Sequence, residues 1–205
     1  MKGMFFLLEK RQFKNFISYY KWHLIFFLII LICIIFILTS VTRNIDPDVI
    51  IGYIATPYVK LEDFDNNKAN FEHLLHDANN DGKKNAKLID YTIDKQSDIN
   101  ELFVDMIDSK SYHIYILPKE AFEAYKDKSA FADIEISGVN VESLSDENGR
   151  IYAYTIEGNT YAESLGFINT DNLFIAAANF REEELSTGEK NGINITREII
   201  KRRRD

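Results

Sequence analysis

Asp77, Asn79, Asp81 and Gly82 fall at the spacing D-x-N-x-D-G. That spacing opens a calcium loop, because alternate oxygen side chains converge there and glycine permits the sharp turn. The closing carboxylate is missing from its place. Counted from Asp77, position 12 is Leu88, with Asp90 two residues beyond as a substitute ligand. The competing reading is a helix-ending turn, in which Asn, Asp and Gly are expected without any metal. His73 and His76 stand at i, i+3. Such a pair suits zinc, but no third ligand accompanies it, and a solvated helix face is the plainer reading. His113 falls in or beside a strand, where a structural or exposed role is expected.

No nucleophile elbow, H-E-x-x-H pair, Walker loop or G-x-G-x-x-G stands in the chain. The run Glu182-Glu183-Glu184 reads as a solvated face. Tyr152, Tyr154 and Tyr161 offer rings for a ligand groove; at strand spacing they more simply pack a sheet. Asn194-Ile195-Thr196 is a glycosylation sequon, meaningful only in a eukaryotic secretory setting.

The elements that must position these residues alternate. Val49–Ala55 reads as a buried strand ended by Thr56-Pro57, and Leu61 to Ala78 as a helix burying Phe71, Leu74, Leu75 and Ala78. Ala86–Ile93 is a second strand. Ser97 and Asp98 then cap a helix with Ile99, Leu102, Phe103, Met106 and Ile107 on one face. Tyr112–Leu117 is a third strand, and Lys119–Tyr125 a helix with Phe122 and Tyr125 inward. This β-α-β-α-β-α order implies parallel strands with helical crossovers. Further on, Asn148-Gly149 marks a hairpin between Val139–Leu144 and Ile151–Ile156, and Asn172–Ala178 another strand. Glu182 to Gly192 reads as a polar loop, with a last helix starting at Asn194 or Thr196. The expected fold is α/β: a small three-layer domain with a mostly parallel sheet.

Ahead of it, Leu24 to Val41 is an uncharged apolar run of 18 residues. As a helix it spans about 27 Å, near the ~30 Å of a bilayer's hydrocarbon core. Five Lys/Arg precede the span, which places the N-terminus in the cytoplasm. The head is too long for a cleaved signal, and Ile32 before Cys33 argues against lipidation. Phe13, Phe16, Ile17 and Tyr20 give that head an amphipathic pattern suited to an anionic membrane surface. The expected organisation is a basic head 1–23, a transmembrane helix 24–41, a linker 42–48 and an extracytoplasmic domain 49–205.

Charge follows the same division. Residues 1–43 carry net +5 and the remainder net −13. An acidic body argues against a nucleic-acid partner. The single cysteine, Cys33, allows no intramolecular disulfide and no cysteine-based metal site. The composition is rich in Ile, Lys, Asn and Phe.

Tyr20–His23 before an apolar span, then DVIIGYIATPYV, DANNDGK and LFVDMIDSKSYHIYILPKEAFEAY, together resemble the first lobe of type 2 extracellular solute-binding proteins. The likeness runs from Tyr20 to Phe131. More closely, the chain resembles single-pass membrane proteins of low-GC Gram-positive bacteria that carry a reduced, one-lobe version of that domain. The resemblance implies a non-enzymatic, membrane-anchored binding or interaction module, accessory to a larger membrane complex. It carries over no ligand residue, since one lobe forms no interlobe cleft, and no cofactor beyond the calcium turn. Two other readings stand beside it: an envelope-assembly protein without a ligand site, and a hydrolase with converging carboxylates. A polar pocket at the C-terminal ends of the parallel strands would favour binding; a filled end would favour assembly.

Overall fold

The computed structural model describes residues 19–23, 25–36, 46–54, 61–91, 96–167, 170–180 and 184–203. The chain divides into two compact units, Met1–Ile45 and Asp46–Asp205. In the first, helix α1 (Tyr19–Phe36) is long and apolar enough, by length and composition, to cross a membrane. Its described apolar side chains, among them Phe26, Phe27 and Phe36, are all exposed. Residues 37–41 of the expected span, and most of the basic head, lie outside the described residues.

The second unit is a six-stranded sheet in the order β2-β1-β3-β6-β5-β4. Its strands are β1 (Val49–Ile54), β2 (Ala86–Tyr91), β3 (Ile114–Pro118), β4 (Ser143–Ser145), β5 (Ile151–Thr155) and β6 (Leu173–Ala177). Its helices are α2 (Leu61–Glu72), α3 (Gln96–Asp108), α4 (Lys119–Ala124), α5 (Thr160–Ser164) and α6 (Thr187–Lys201).

Strand periodicity of two sorts the core into layers. Val49, Ile51 and Tyr53 of β1, Ile114 and Ile116 of β3, and Leu173, Ile175 and Ala177 of β6 meet Phe64 and Phe71 of α2 and Ile195 and Ile199 of α6 on one face. Ile54, Tyr115, Leu117, Phe174 and Ala176 meet Phe103 and Met106 of α3 and Phe122 of α4 on the other. The apolar face expected for α3 is thus the buried one. Helices cover both faces, which is the expected three-layer arrangement.

The expectation of a mostly parallel sheet needs correction. β1 pairs in parallel with β2 and β3, whereas β3–β6, β6–β5 and β5–β4 are all antiparallel. The sheet is therefore mixed and mostly antiparallel. After α4 the chain makes no long helical crossover. It runs through a 3-10 turn (Lys128–Ala130) and an extended stretch into the β4–β5 hairpin, and hairpin strands must run antiparallel.

Two helix boundaries also differ. α2 stops at Glu72, so His73 and His76 lie in the turn beyond it and not on the helix. α6 starts at Thr187, so the stretch read as a polar loop contains the first turns of a helix. Its start is a capping box: the Ser186 side chain accepts from the Glu189 N–H, and the Glu189 carboxylate accepts from the Ser186 N–H. Gly188 and Gly192 hide the helical pattern in the sequence. Each lies where the helix crosses closest to the sheet, and a Cβ on Gly192 would fall 2.4 Å from the His113 carbonyl oxygen.

Candidate functional site

Asp48, one residue before β1, has its carboxylate fully buried. It accepts from the Ala78 N–H at 2.5 Å and the Asn85 N–H at 2.7 Å. Asn191 of α6, equally buried, accepts from the His76 N–H and donates to the His76 carbonyl, each at 2.8 Å. These two side chains clamp the base of the turn 76–85 onto β1 and α6, satisfying backbone groups that burial would otherwise leave unpaired.

Within that turn the calcium-loop candidates are engaged with the backbone. The Asp77 carboxylate accepts from the Asp81 N–H at 3.2 Å and the Gly82 N–H at 2.9 Å. The Asn79 oxygen accepts from the Asp81 N–H at 2.9 Å, and the Asp81 carboxylate from the Lys83 N–H at 2.8 Å. Gly82 takes φ +79°, where a side chain is strained. These are the bonds of a helix-ending turn. Asp90 lies well along β2, beside Tyr53 in register. Among the described residues no group of three His, Cys, Asp or Glu side chains converges.

His113 occupies the junction of three elements. Its N–H donates to the Ile50 carbonyl at 2.8 Å, its Nδ1 accepts from the Ile50 N–H at 3.0 Å, and its carbonyl accepts from the Ala178 N–H at 2.9 Å. Since Nδ1 accepts, Nε2 carries the proton of the neutral ring. The ring lies against Gly188 of α6, where a Cβ would come within 2.3 Å of Nε2. Burial holds its pKa below the usual value, with Glu189 pulling weakly the other way. Glu189 itself accepts from the Phe180 N–H at 2.8 Å and from the Ser186 hydroxyl at 2.6 Å.

The three tyrosines do not share a groove. Ser145 pairs with Ile151 and Leu144 with Ala153, leaving Tyr152 as an extra residue in β5. This β-bulge sends Tyr152 and Tyr154 to opposite faces. Tyr152 stacks on Phe131 at 5.5 Å, and the Tyr154 hydroxyl accepts from the Ile136 N–H. Tyr161 carries Arg202 over its ring at 5.3 Å. All three are packing residues.

Two described cavities lie where β1 and β3 begin and β6 ends, and a third lies between α3 and α4. The C-terminal ends of β1 and β2 lead into residues 55–60 and 92–95, which lie outside the described set. A cavity of about 660 Å³ runs along α6. Thr187, Lys190, Asn194 and Arg197 of α6 line it, together with Ala132 and Asp133 of the extended stretch before β4 and with His76, Asn179 and Glu184. A second, of about 510 Å³, is lined by Asp48, Lys110, His113 and Ser186. Reading the sequence missed this site because its main wall lies on α6, taken in part for a loop. The missed signal was Ser186-x-x-Glu189.

Three basic side chains around the sheet serve the fold. Lys128 donates to the Phe122 and Tyr125 carbonyls at the end of α4. Arg150 donates to the Phe131 and Lys128 carbonyls and pairs with Asp146 at 2.9 Å. Arg202 pairs with Glu198 at 2.8 Å. Compared with protein-family models, curated proteins and solved structures, the chain matches none of them.

Proposed function

We propose that this chain is a membrane-anchored, non-enzymatic binding module whose acidic unit stands on the extracytoplasmic side. The observation that carries the reading is the polar-walled cavity of about 660 Å³ along α6. Its volume falls within the 300–1,000 Å³ usual for small-molecule sites. Helix α1 supports the anchor by length and composition, and the five basic residues before Leu24 support an inside N-terminus. The first half of the domain, read as a reduced solute-binding lobe, fits the same role. The module works beside a larger membrane protein that acts on what it captures.

Placement is tested by cysteine labelling in intact cells. With Cys33 replaced by serine, a single cysteine at Glu147, exposed at the hairpin tip, reacts with a membrane-impermeant maleimide. Labelling only after lysis overturns the outside placement. Capture is tested by screening the full-length protein in nanodiscs against small solutes for a rise in melting temperature. A flat response to every solute, in a protein that melts cooperatively, overturns the binding reading.

A further inference from the structure

Arg197 is half-buried in the wall of the α6 cavity and has no hydrogen-bond or ion-pair partner among the described residues. That sets it apart from Lys128, Arg150 and Arg202, each held by carbonyls or carboxylates. A half-buried guanidinium still open to solvent, with its planar fork unused among the described residues, is matched by a carboxylate in bidentate geometry. Lys190, Asn194 and Arg197 recur at i, i+4 and i+7 on one face of α6, so the Cα atoms of the two basic residues lie about 10 Å apart along the helix. Lys190 reaches only loosely to Glu184, at 3.8 Å.

The rest of the lining carries the opposite sign. Asp133 is exposed, and among the described residues its carboxylate accepts only from the Glu135 N–H, at 3.2 Å. With Glu184, the lining carries two acids against the two bases, and is formally neutral. A polyanion or polycation would leave the lining charges of one sign uncompensated; a zwitterion satisfies both. In the same lining, the side chains of Thr187, Asn179 and Asn194 hold amide and hydroxyl groups without protein partners among the described residues. Ala132, Leu185 and Ile193 supply apolar surface. The volume exceeds the roughly 30 Å³ of a water molecule many times over, so an inorganic ion would leave it mostly wet. The acidic domain, at net −13, further disfavours anionic ligands at a distance.

We infer that the α6 cavity binds short peptides with a free C-terminal carboxylate. Arg197 holds the carboxylate, Asp133 takes the N-terminal ammonium, and the amide and hydroxyl side chains meet the peptide groups between. This rests on the binding reading above and adds the ligand class to it.

The test is affinity selection on the full-length protein in nanodiscs, with empty nanodiscs as the blank. Synthetic random-sequence tripeptides are offered with free, C-amidated or N-acetylated ends; citrate, inorganic phosphate and spermidine are assayed separately by melting shift. Free tripeptides are expected to be enriched at least tenfold over the C-amides. Arg197→Met abolishes that preference and Arg197→Lys keeps part of it. Asp133→Asn, a change at an exposed position, erases the preference for a free over an acetylated N-terminus. Each variant is admitted only when its melting temperature matches the parent's. Equal retention of acid and amide, or a preference that survives Arg197→Met, overturns the peptide assignment. Binding of citrate, phosphate or spermidine without any tripeptide also overturns it while leaving the binding reading intact. Retention of no tripeptide overturns the peptide assignment, while the binding reading falls only with a flat response across the wider solute screen.

Discussion

At the scale of single residues, the polar side chains that sequence spacing brings forward mostly hold the backbone in place. His113 is the clearest case. Its Nδ1 accepts from the Ile50 N–H, and a proton added there would remove the acceptor and place a charge in a largely buried site. The folded pKa lies below the ordinary 6.5, so the unfolded chain takes up this proton first as pH falls. The neutral ring's contribution is complete above about pH 6.5 and declines as pH drops toward the folded pKa, by at most about 1.4 kcal/mol per pH unit. Urea melts from pH 8 to 5 should show His113→Gln less sensitive to acid than the parent between pH 6.5 and 5. Equal acid slopes would refute the assignment. Asp77 gives the second prediction. Its carboxylate satisfies two turn N–H groups, so Asp77→Ala is expected to cost roughly 1–2 kcal/mol. The cost should be the same in millimolar calcium as in chelator. A loss seen only with calcium present would make the turn a cation site.

At the scale of elements, α6 decides how the domain closes. Asn191, Gly188 and Gly192 all face inward from it, and His113 sits beneath the two glycines. On an isolated helix Gly192→Ala would gain up to about 1 kcal/mol in propensity. Here the new Cβ meets a backbone carbonyl that cannot rotate away, and overpacking of this kind costs roughly 1–3 kcal/mol. Denaturant melts should therefore find Gly192→Ala destabilised, while Asn194→Ala, exposed on the same helix, stays within about 0.5 kcal/mol of the parent. A stabilised Gly192→Ala would place α6 farther from the sheet. The same helix explains where sequence reasoning worked. In α3 apolar periodicity is strong, and Ile99, Phe103, Met106 and Ile107 are buried as their spacing requires, whereas the helical face read through Leu74, Leu75 and Ala78 runs past the end of α2. Beyond α4 the signals are local and small. The Asn148-Gly149 turn was legible, with Gly149 at φ +80°. The bulge at Tyr152, which breaks alternation, was not, nor was α5, five residues begun by Asn159, whose side chain accepts from two N–H groups. Arg197 carried no signal in the sequence, because its lack of a partner depends on three elements meeting around it.

At the scale of the whole chain, the division between Ile45 and Asp46 coincides with the change from a basic to an acidic sequence. Both described core clusters draw only on residues 49–200 among the described residues. Asp48 lies on the folded side, buried and bonded to the turn 76–85, which makes the start of the domain a fixed point. A segment beginning at Asp46 therefore retains the whole core, the clamp at Asn191 and the α6 cavity. It is expected to fold by itself as one cooperative unit. For about 160 residues at 12–15 cal/mol/K each, the heat-capacity change on unfolding should be roughly 2 kcal/mol/K. Differential scanning calorimetry of residues 46–205 checks this, with calorimetric and van't Hoff enthalpies agreeing for a two-state melt. A heat-capacity change near half that value, or a broad non-cooperative transition, would mean that the first unit completes the fold of the second.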